Sequence, residues 1–454
     1  MHKHLMFLAL LGSATLAAHA GTDATTDIGT PPAAGSSSTA TGLLTGNTFI
    51  GDTTYDKIWS LFTLYKDDSN PILQEFSLQG RLQVQYADGN SEDGHFDIED
   101  FKNGSPANAQ SVWGDHLEAR RARLGFKSKW FQYWKLEGQI DVDTTDGFDE
   151  FYRDIYDLYL TYAPSDAFNV SIGKTKVKFG REQEISSKEI LTFERSLVSN
   201  LLFPGELTGA WINGKGLAGH WLYELGVYSN DRSREFSSFN QGTIILGKIG
   251  YDYSAQTVLD TAVASFHYMH NTEPGYKESD NNNFYASGSP AFTDSIALTN
   301  DITQGRFGLT TDILYGFGFE GDAQQAGITK ALNQTDVFGI SIIPSYYIAD
   351  GLQLVGRFQW ATSPNAEPKN GASPATSNLG LPNRYEKWAP NAIPNGDNYT
   401  SFYLGLNYYL YGHKLKLMNG IEYSMMDGGI ANPGKHQTAT YDGYTFLSGL
   451  RFSF

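Results

Sequence analysis

Basic side chains gather in one part of this chain. Thirteen of the 33 lysines and arginines lie between residues 115 and 200, although the 454 residues together carry a net charge of −17. Cations clustered in this way have the chemistry to attract small anions, as rings of Lys and Arg do in anion pores. The acidic total argues against nucleic acid as a partner, because binding a phosphate backbone requires a basic face.

Motifs for catalysis or metal binding do not occur in the sequence. Without cysteine, the chain has no disulfide, zinc–thiolate site or catalytic thiol. It has no G-x-S-x-G, H-E-x-x-H or phosphate-loop motif, and its ten histidines are scattered. A run of carboxylates from Asp141 to Asp157 is similar to a calcium loop, but Tyr152 stands where the twelfth position requires Glu. We therefore predict no enzyme, no cofactor and no metal site, and interpret the acidic run as solvated or as a loose binder of divalent cations.

The first twenty residues differ from the rest. A weakly positive start, an apolar stretch from Leu5 to Leu11 and a small-residue pattern ending at Ala20 predict a cleaved secretory signal peptide, residues 1–20. Residues 21–75 are rich in Thr, Ala, Gly and Ser and are predicted to be a linker, with a possible short helix or plug in its more apolar part, residues 55–65. No apolar run long enough for a transmembrane helix follows.

Residues 76–454 alternate polar and apolar side chains with the period of a β-strand. In the first such segment Leu78 and Leu82 share one face, and Arg81 lies on the other. Long and very short links alternate between the segments, which is the arrangement of bacterial outer-membrane barrels. The pattern predicts an all-β protein, a transmembrane antiparallel up-and-down β-barrel.

The number of strands follows from the alternation of the links. Fifteen segments are evident, and the alternation is restored if residues 304–320 form a hairpin that turns near Thr311 and Asp312. This raises the count to 16, an even number as such barrels require. Tyrosines and tryptophans, Tyr156 and Tyr409 among them, are predicted to form girdles at the two membrane interfaces.

Four segments of the chain resemble the phosphate-selective porin O and P family. They are GRLQVQY (80–86), ARRARLGFK (119–127), YWKLEGQIDVD (133–143) and SSKEILTFERS (186–196). The resemblance continues more faintly to the C-terminus. It implies an outer-membrane porin that is a homotrimer set in outer-membrane lipid, in which the long link after the fifth strand folds into the barrel as a constriction loop. That loop contains Gln183, Glu194 and Ser196.

The resemblance also implies anion-binding roles in the pore for a set of basic side chains. The resemblance gives Arg81, Arg120, Arg121, Lys135 and Arg195, and the strand parity and the basic cluster add Arg123, Lys174, Arg181 and Lys188 as further candidates for anion binding. Most of those on strands share the polar, lumen-facing parity, whereas Arg120 has the opposite parity unless a bulge intervenes. An arginine in the lumen also braces a polar wall against Asp or Glu, and Lys174 suits a solvated strand end, so both interpretations stay open.

The function favoured by the sequence is passive diffusion of small hydrophilic solutes, with a preference for anions. Phosphate-selective members have a lysine where this chain has Gln183, and the link from Asn271 to Thr303 holds only Lys277 as a basic residue. We therefore expect phosphate to bind weakly. The alternatives are a soluble secreted β-sandwich that acts as an adhesin or binds glycans, and a hydrolase embedded in a barrel.

Overall fold

A computed structural model gives the fold of the protein. It describes residues 40–46, 51–91, 115–142, 151–239, 242–274, 292–319, 336–363, 398–432 and 437–454. The predicted signal peptide lies outside the described residues. None of the helices in these ranges is long and apolar enough to cross a bilayer.

Helices are few and short in the described ranges. There are three α-helices, α1 Thr54–Ser60, α2 Arg181–Glu184 and α3 Leu197–Leu201, and two 3-10 helices, Leu43–Thr45 and Ser254–Gln256. The side chain of Thr53 accepts from the backbone N–H of Asp56 while Asp56 accepts from that of Thr53, a capping box that begins α1.

Strands make up most of the described chain. They are β1 Thr63–Lys66, β2 Leu73–Ser91, β3 Asp115–Trp130, β4 Trp134–Val142, β5 Tyr152–Ser165, β6 Phe168–Lys176, β7 Glu206–Leu217, β8 Trp221–Ser229, β9 Thr243–Asp252, β10 Thr261–Asn271, β11 Phe292–Gln304, β12 Phe307–Phe319, β13 Val337–Ala349, β14 Leu352–Thr362, β15 Asn398–Tyr411, β16 Leu415–Asn432 and β17 Gln437–Ser453.

The last sixteen of these strands close into a barrel. Each pairs antiparallel with its sequence neighbours, and β17 pairs with β2, from Ser453 opposite Arg81 to Gly443 opposite Ser91. Closure leaves no free sheet edge in the membrane, which lipid would not tolerate. The prediction of an antiparallel barrel of 16 strands is therefore confirmed.

The count of 16 was correct, but one of the predicted strands was placed in the wrong segment. The predicted hairpin within residues 304–320 is a single strand, β12, and the missing strand is β11, which lies in the segment that was predicted to be a long link. The two strands turn at Gly305 and Arg306, not near Thr311. β11 was missed because its lumen face consists of small side chains, Ser295, Ala297 and Thr299, so that its alternation is weak.

The two faces of the wall have the polarity of a membrane barrel. On β15, Phe402 and Leu404 are more than half exposed on the outside, whereas Ser401 and Asn407 are buried on the inside. Apolar residues also face outward on the other strands, among them Ile172, Leu225, Ile249, Leu298, Ile421 and Phe446. Side chains of this parity meet lipid, and the polar parity lines the lumen.

Tyr156 and Tyr409, which the sequence assigned to the interface girdles, lie in the lumen instead. Tyr156 is buried with its ring centroid 3.3 Å from the guanidinium carbon of Arg123. A register shift of β5 against β4 next to Tyr156 turns this side chain inward. Tyr409 is also buried, and its hydroxyl donates to Gln353 at 2.5 Å.

The segment before the barrel packs on the end where the short turns lie. β17 pairs with β2 only from Arg81 onward, and β1 pairs with the residues of β2 before that point. β1 therefore extends the sheet on the same edge of β2 as β17. The indole N–H of Trp59 donates to the carbonyl of Ser453 at 2.7 Å, and the rings of Phe62 and Phe454 stack at 3.8 Å. These contacts hold the start of β2 and the end of β17 together where the barrel closes.

Candidate functional site

The long link between β6 and β7, residues 177–205, folds into the barrel; we call it the constriction loop. Its apolar side chains form a core with lumen-facing residues of distant strands, including Leu197 and Leu202 from the loop and Leu314 and Val337 from the wall. A Cβ at Gly339 of β13 would lie 2.5 Å from Val198, which shows how closely α3 approaches the wall. The loop therefore crosses from β6 to the opposite side of the barrel.

The first turn of the constriction loop is held by acceptors on the far wall. The backbone N–H groups of Arg181 and Glu182 donate to the two carboxylate oxygens of Asp312 at 2.7 and 2.8 Å. The N–H of Gly180, which has a φ of 79°, donates to Nδ1 of His267 at 3.3 Å. The guanidinium of Arg181 pairs with Asp301 at 2.6 Å. Arg181 is therefore part of an ion pair that fixes the loop.

Glu194 connects the second half of the loop to two adjacent arginines of β3. Its carboxylate accepts from Nε of Arg120 at 2.6 Å and from Nη2 of Arg121 at 3.0 Å. Neighbouring residues on a strand normally face opposite sides, but a bulge opposite Gln83 and Val84 turns both arginines inward. Burial alone would raise the pKa of Glu194, yet the two guanidinium groups hold this pKa well below its usual range.

Three cations of the C-terminal strands hold the same part of the loop through backbone carbonyls. Arg357 donates to the carbonyl of Glu194 at 2.5 Å and pairs with Glu422 at 2.9 Å. Lys416 donates to the carbonyl of Ile190 at 2.8 Å. Arg451 donates to the carbonyl of Phe193 at 2.6 Å, and more weakly to those of Ser187 and Thr192. None of the three was among the predicted site residues, although each lies on the polar parity of its strand.

Arg81 and Arg123 lie side by side on β2 and β3, above Tyr156. Arg81 donates to the hydroxyl of Ser187 in the loop and, at 3.2 Å, to the amide oxygen of Gln139. Arg123 pairs with Asp141. Three buried donors here, Nε of Arg81, Nη1 of Arg123 and Nε2 of Gln139, have no acceptor among the described residues. The site thus combines two guanidinium groups with unused hydrogen-bond donors.

This inward loop and its cations agree with the comparison to known families. The sequence profile of the phosphate-selective porin O and P family matches residues 91–427. The chain belongs to this family. It is an outer-membrane channel that allows passive diffusion, and both the family and the fold are those of channel proteins rather than enzymes. No curated protein matches the chain.

Solved porins share the fold at low sequence identity. Salmonella typhi OmpF in complex with daunomycin is 11% identical with a TM-score of 0.51, over 85% of this chain and 98% of that chain. Pseudomonas putida OprB is 9% identical with a TM-score of 0.49, over 84% and 94% of the two chains. The channel DcaP of Acinetobacter baumannii is 15% identical with a TM-score of 0.48, over 86% and 99%. The closed barrel excludes the soluble β-sandwich that the sequence had left open.

The other candidate residues of this porin fall into two groups. Arg195, Gln183 and Ser196 hold the loop together internally: Arg195 donates to the carbonyls of Glu182 and Ile185 at 2.6 and 2.7 Å, and Gln183 donates to that of Ser199 at 3.1 Å. Ser196 caps α3 by accepting from Ser199 at 3.4 Å. Lys188 donates to the carbonyl oxygen of Phe454 at 3.1 Å.

Lys135 and Lys174 lie apart from this cluster. Lys135 is exposed near the short turn, six residues along β4 from Asp141, which is about 20 Å along a strand. Lys174 is buried, so it is not the solvated strand end of the alternative interpretation, and its ammonium donates to the carbonyl of Ser233 at 2.7 Å. Most of the predicted acidic loop lies outside the described residues, which contain no cluster of His, Asp and Glu suited to a metal.

Proposed function

We propose that this porin conducts small anions in preference to cations. The observation that carries the proposal is that Arg81 and Arg451, both more than 90% buried beside the constriction loop, bond only neutral groups among the described residues. An arginine stays charged in proteins. Its positive charge, when no carboxylate contacts it, acts on ions that pass within the screening length of about 8 Å at physiological salt.

Local charge outweighs the net charge of −17 for this purpose. The cations of β2, β3 and β17 contact the constriction loop itself, so they act on an ion there at short range, whereas screening over about 8 Å weakens the effect of more distant carboxylates. Carboxylates offset part of this charge. Asp141 pairs with Arg123 and Glu422 pairs with Arg357, whereas the single carboxylate of Glu194 faces both Arg120 and Arg121. The remaining imbalance favours anions.

The three unused donors near Arg81 suit a transient anion. Arg81 and Arg123 are cross-strand partners, and Arg81 contacts Gln139, so their free N–H groups share one neighbourhood. Leaving a buried donor unsatisfied costs about 1–3 kcal/mol, and an anion would recover this cost once a side-chain movement opens these donors to the lumen. Weak, repeated binding of this kind is what conduction requires.

Phosphate is proposed to bind weakly. Gln183 stands where phosphate-selective members have a lysine, and its side chain donates inside the constriction loop to Ser199 and Asn200. This position therefore adds no charge to the lumen.

Family membership also supports the proposal that the porin is a homotrimer.

Reversal potentials under a potassium chloride gradient in planar bilayers test the anion preference. We expect chloride to be preferred in the unmodified protein, and Arg81→Gln to lower the chloride/potassium permeability ratio by about fivefold. Removing one unit charge about 4 Å from the ion takes away about 1 kcal/mol in water-like surroundings.

The matched control is Arg306→Gln, which removes a guanidinium that is half exposed on a short turn and pairs with Asp350. Its permeability ratio should equal that of the unmodified protein. Cation preference in the unmodified protein would refute the proposal, and block of the chloride current by micromolar phosphate would refute weak phosphate binding.

A further inference from the structure

The barrel wall has a seam where the constriction loop leaves it. β6 pairs with β5 only as far as Lys174 opposite Leu158, but it pairs with β7 up to Lys176 opposite Glu206. β5 itself continues to Tyr152, paired on its other side with β4. The stretch of β5 from Tyr152 to Asp157 therefore lacks a strand neighbour on the β6 side. An uncovered strand edge leaves backbone groups without partners.

The described part of the link between β8 and β9, residues 230–239, covers this seam; we call it the seam loop. The N–H of Ile155 donates to the carbonyl of Arg234 at 2.9 Å. The guanidinium of Arg234 donates to the carbonyl of Arg153 at 2.7 Å, and Lys174 donates to the carbonyl of Ser233 at 2.7 Å. Residues 233 and 234 thus take the place that β6 vacates beside β5.

The same loop sends Arg232 inward to the end of the constriction loop. Its Nε donates to the carbonyl of Pro204 at 2.8 Å, and its Nη2 donates to that of Phe203 at 2.5 Å. Gly205 has a φ of 109°, and a Cβ there would lie 2.5 Å from Nε of Arg232. The backbone therefore leaves room for this guanidinium at a position that only glycine fills without strain.

The charge of Arg232 strengthens its hydrogen bonds to the constriction loop. Burial lowers the pKa of Arg232 to about 10, with Glu206 acting in the opposite direction, so the side chain is charged at neutral pH. Hydrogen bonds from a charged donor to buried carbonyls are stronger than neutral ones.

We propose that the seam loop seals the wall between β5 and β6, and that Arg232 is a positioning residue that holds residues 203–205 of the constriction loop in place. The ionic current then depends on a contact outside the ion path. Loss of Arg232 frees the end of the constriction loop, and the current through the pore becomes unsteady. This role of Arg232 in positioning the loop is independent of the anion preference.

The test compares Arg232→Ala and Gly205→Ala, which break the contact from its two sides. We measure open-channel current noise in planar bilayers and amide hydrogen exchange of the peptide that covers residues 202–208. In both variants we expect noisier current and exchange at least about tenfold faster, as expected when charge-assisted hydrogen bonds are lost. Arg232→Lys, which can reach one carbonyl, should fall between these variants and the unmodified protein.

The control for charge removal is again the half-exposed Arg306, as Arg306→Ala, with current and exchange unchanged. Gel mobility before and after boiling establishes that each variant has formed the barrel, and Arg232→Lys and Gly205→Ala serve if Arg232→Ala does not fold. Unchanged noise and unchanged exchange at residues 202–208 in the folded variants would overturn the proposal. Faster exchange with unaltered current would overturn its link to conduction.

Discussion

Single charged side chains in this lumen do two things at once. Arg451 donates to the carbonyls of Ser187, Thr192 and Phe193, so it fixes the constriction loop. Because carbonyls are neutral, the bonds leave the charge of Arg451 in place. A carboxylate partner such as Asp141, which pairs with Arg123, fixes a side chain and cancels its charge. The choice of acceptor, more than the number of arginines, determines the field in the pore.

Lys188 makes the charge of the constriction loop depend on pH. Burial, together with the nearby charges of Arg81 and Lys127, lowers the pKa of Lys188 from its usual value near 10.5 to about 8. The ammonium is charged below pH 8 and loses its proton above it. We expect the anion preference to fall between pH 7 and 9, with a midpoint near 8, in reversal potentials measured over this range.

Lys188→Arg is the matched variant, because a guanidinium keeps its charge throughout this range. Its anion preference should stay constant from pH 7 to 9. An equal fall in the unmodified protein and in this variant would assign the titration to another group.

At the scale of elements, the position of α3 depends on a glycine of the wall. Gly339→Ala places a Cβ within 2.5 Å of Val198, so α3 must move toward the barrel axis. We expect a lower single-channel conductance and a loss of about 1–3 kcal/mol in the free energy of unfolding, the usual cost of overpacking. Single-channel recording and urea titration measure the two effects.

Gly247→Ala is the control for this substitution, because a Cβ at Gly247 meets nothing within 4 Å. The double variant Gly339→Ala with Val198→Ala should regain part of the conductance, since the second change removes the methyl group at 2.5 Å and leaves the Cβ of residue 198 at 2.8 Å. Equal conductance in Gly339→Ala and the unmodified protein would mean that α3 does not border the ion path.

The elements also show where strand prediction succeeds. Strands with large outward side chains, such as β15 with Phe402 and Leu404, were predicted from alternation alone. β11 was not, because Ser295 and Ala297 on its inner face differ little from its outer face in polarity. The alternation of long and short links gave the correct count because an up-and-down barrel has an even number of strands. This holds even where side-chain alternation does not reveal one of the strands.

At the scale of the whole molecule, lipid contact decides which substitutions the barrel tolerates. Leu404 lies near the middle of β15 and is 54% exposed on the outside. We expect Leu404→Arg to lower the free energy of unfolding in lipid vesicles by about 2–4 kcal/mol, the cost of a charge at the bilayer midplane. Leu404→Met should cost less than about 1.5 kcal/mol, because it keeps volume and polarity. A similar loss in both variants would place Leu404 away from lipid.

The sequence by itself determined the closed barrel and its sixteen strands, because two-residue alternation and link length are local properties of the chain. The resemblance of four segments to the porin family implied the inward loop. The sequence also named the two arginines that meet Glu194, and it made the inward turn of Arg120 conditional on a bulge. The signal peptide and the trimer stay predictions.

Only the tertiary structure decided which side chains meet the constriction loop. Arg357, Lys416 and Arg451 bond loop carbonyls that are 163, 226 and 258 residues away in sequence. Every strand of the barrel offers a polar parity, so alternation cannot tell which polar residue lies at the level of the loop. Register between strands and closure of β17 on β2 set that level, and both follow from pairing across the whole sheet.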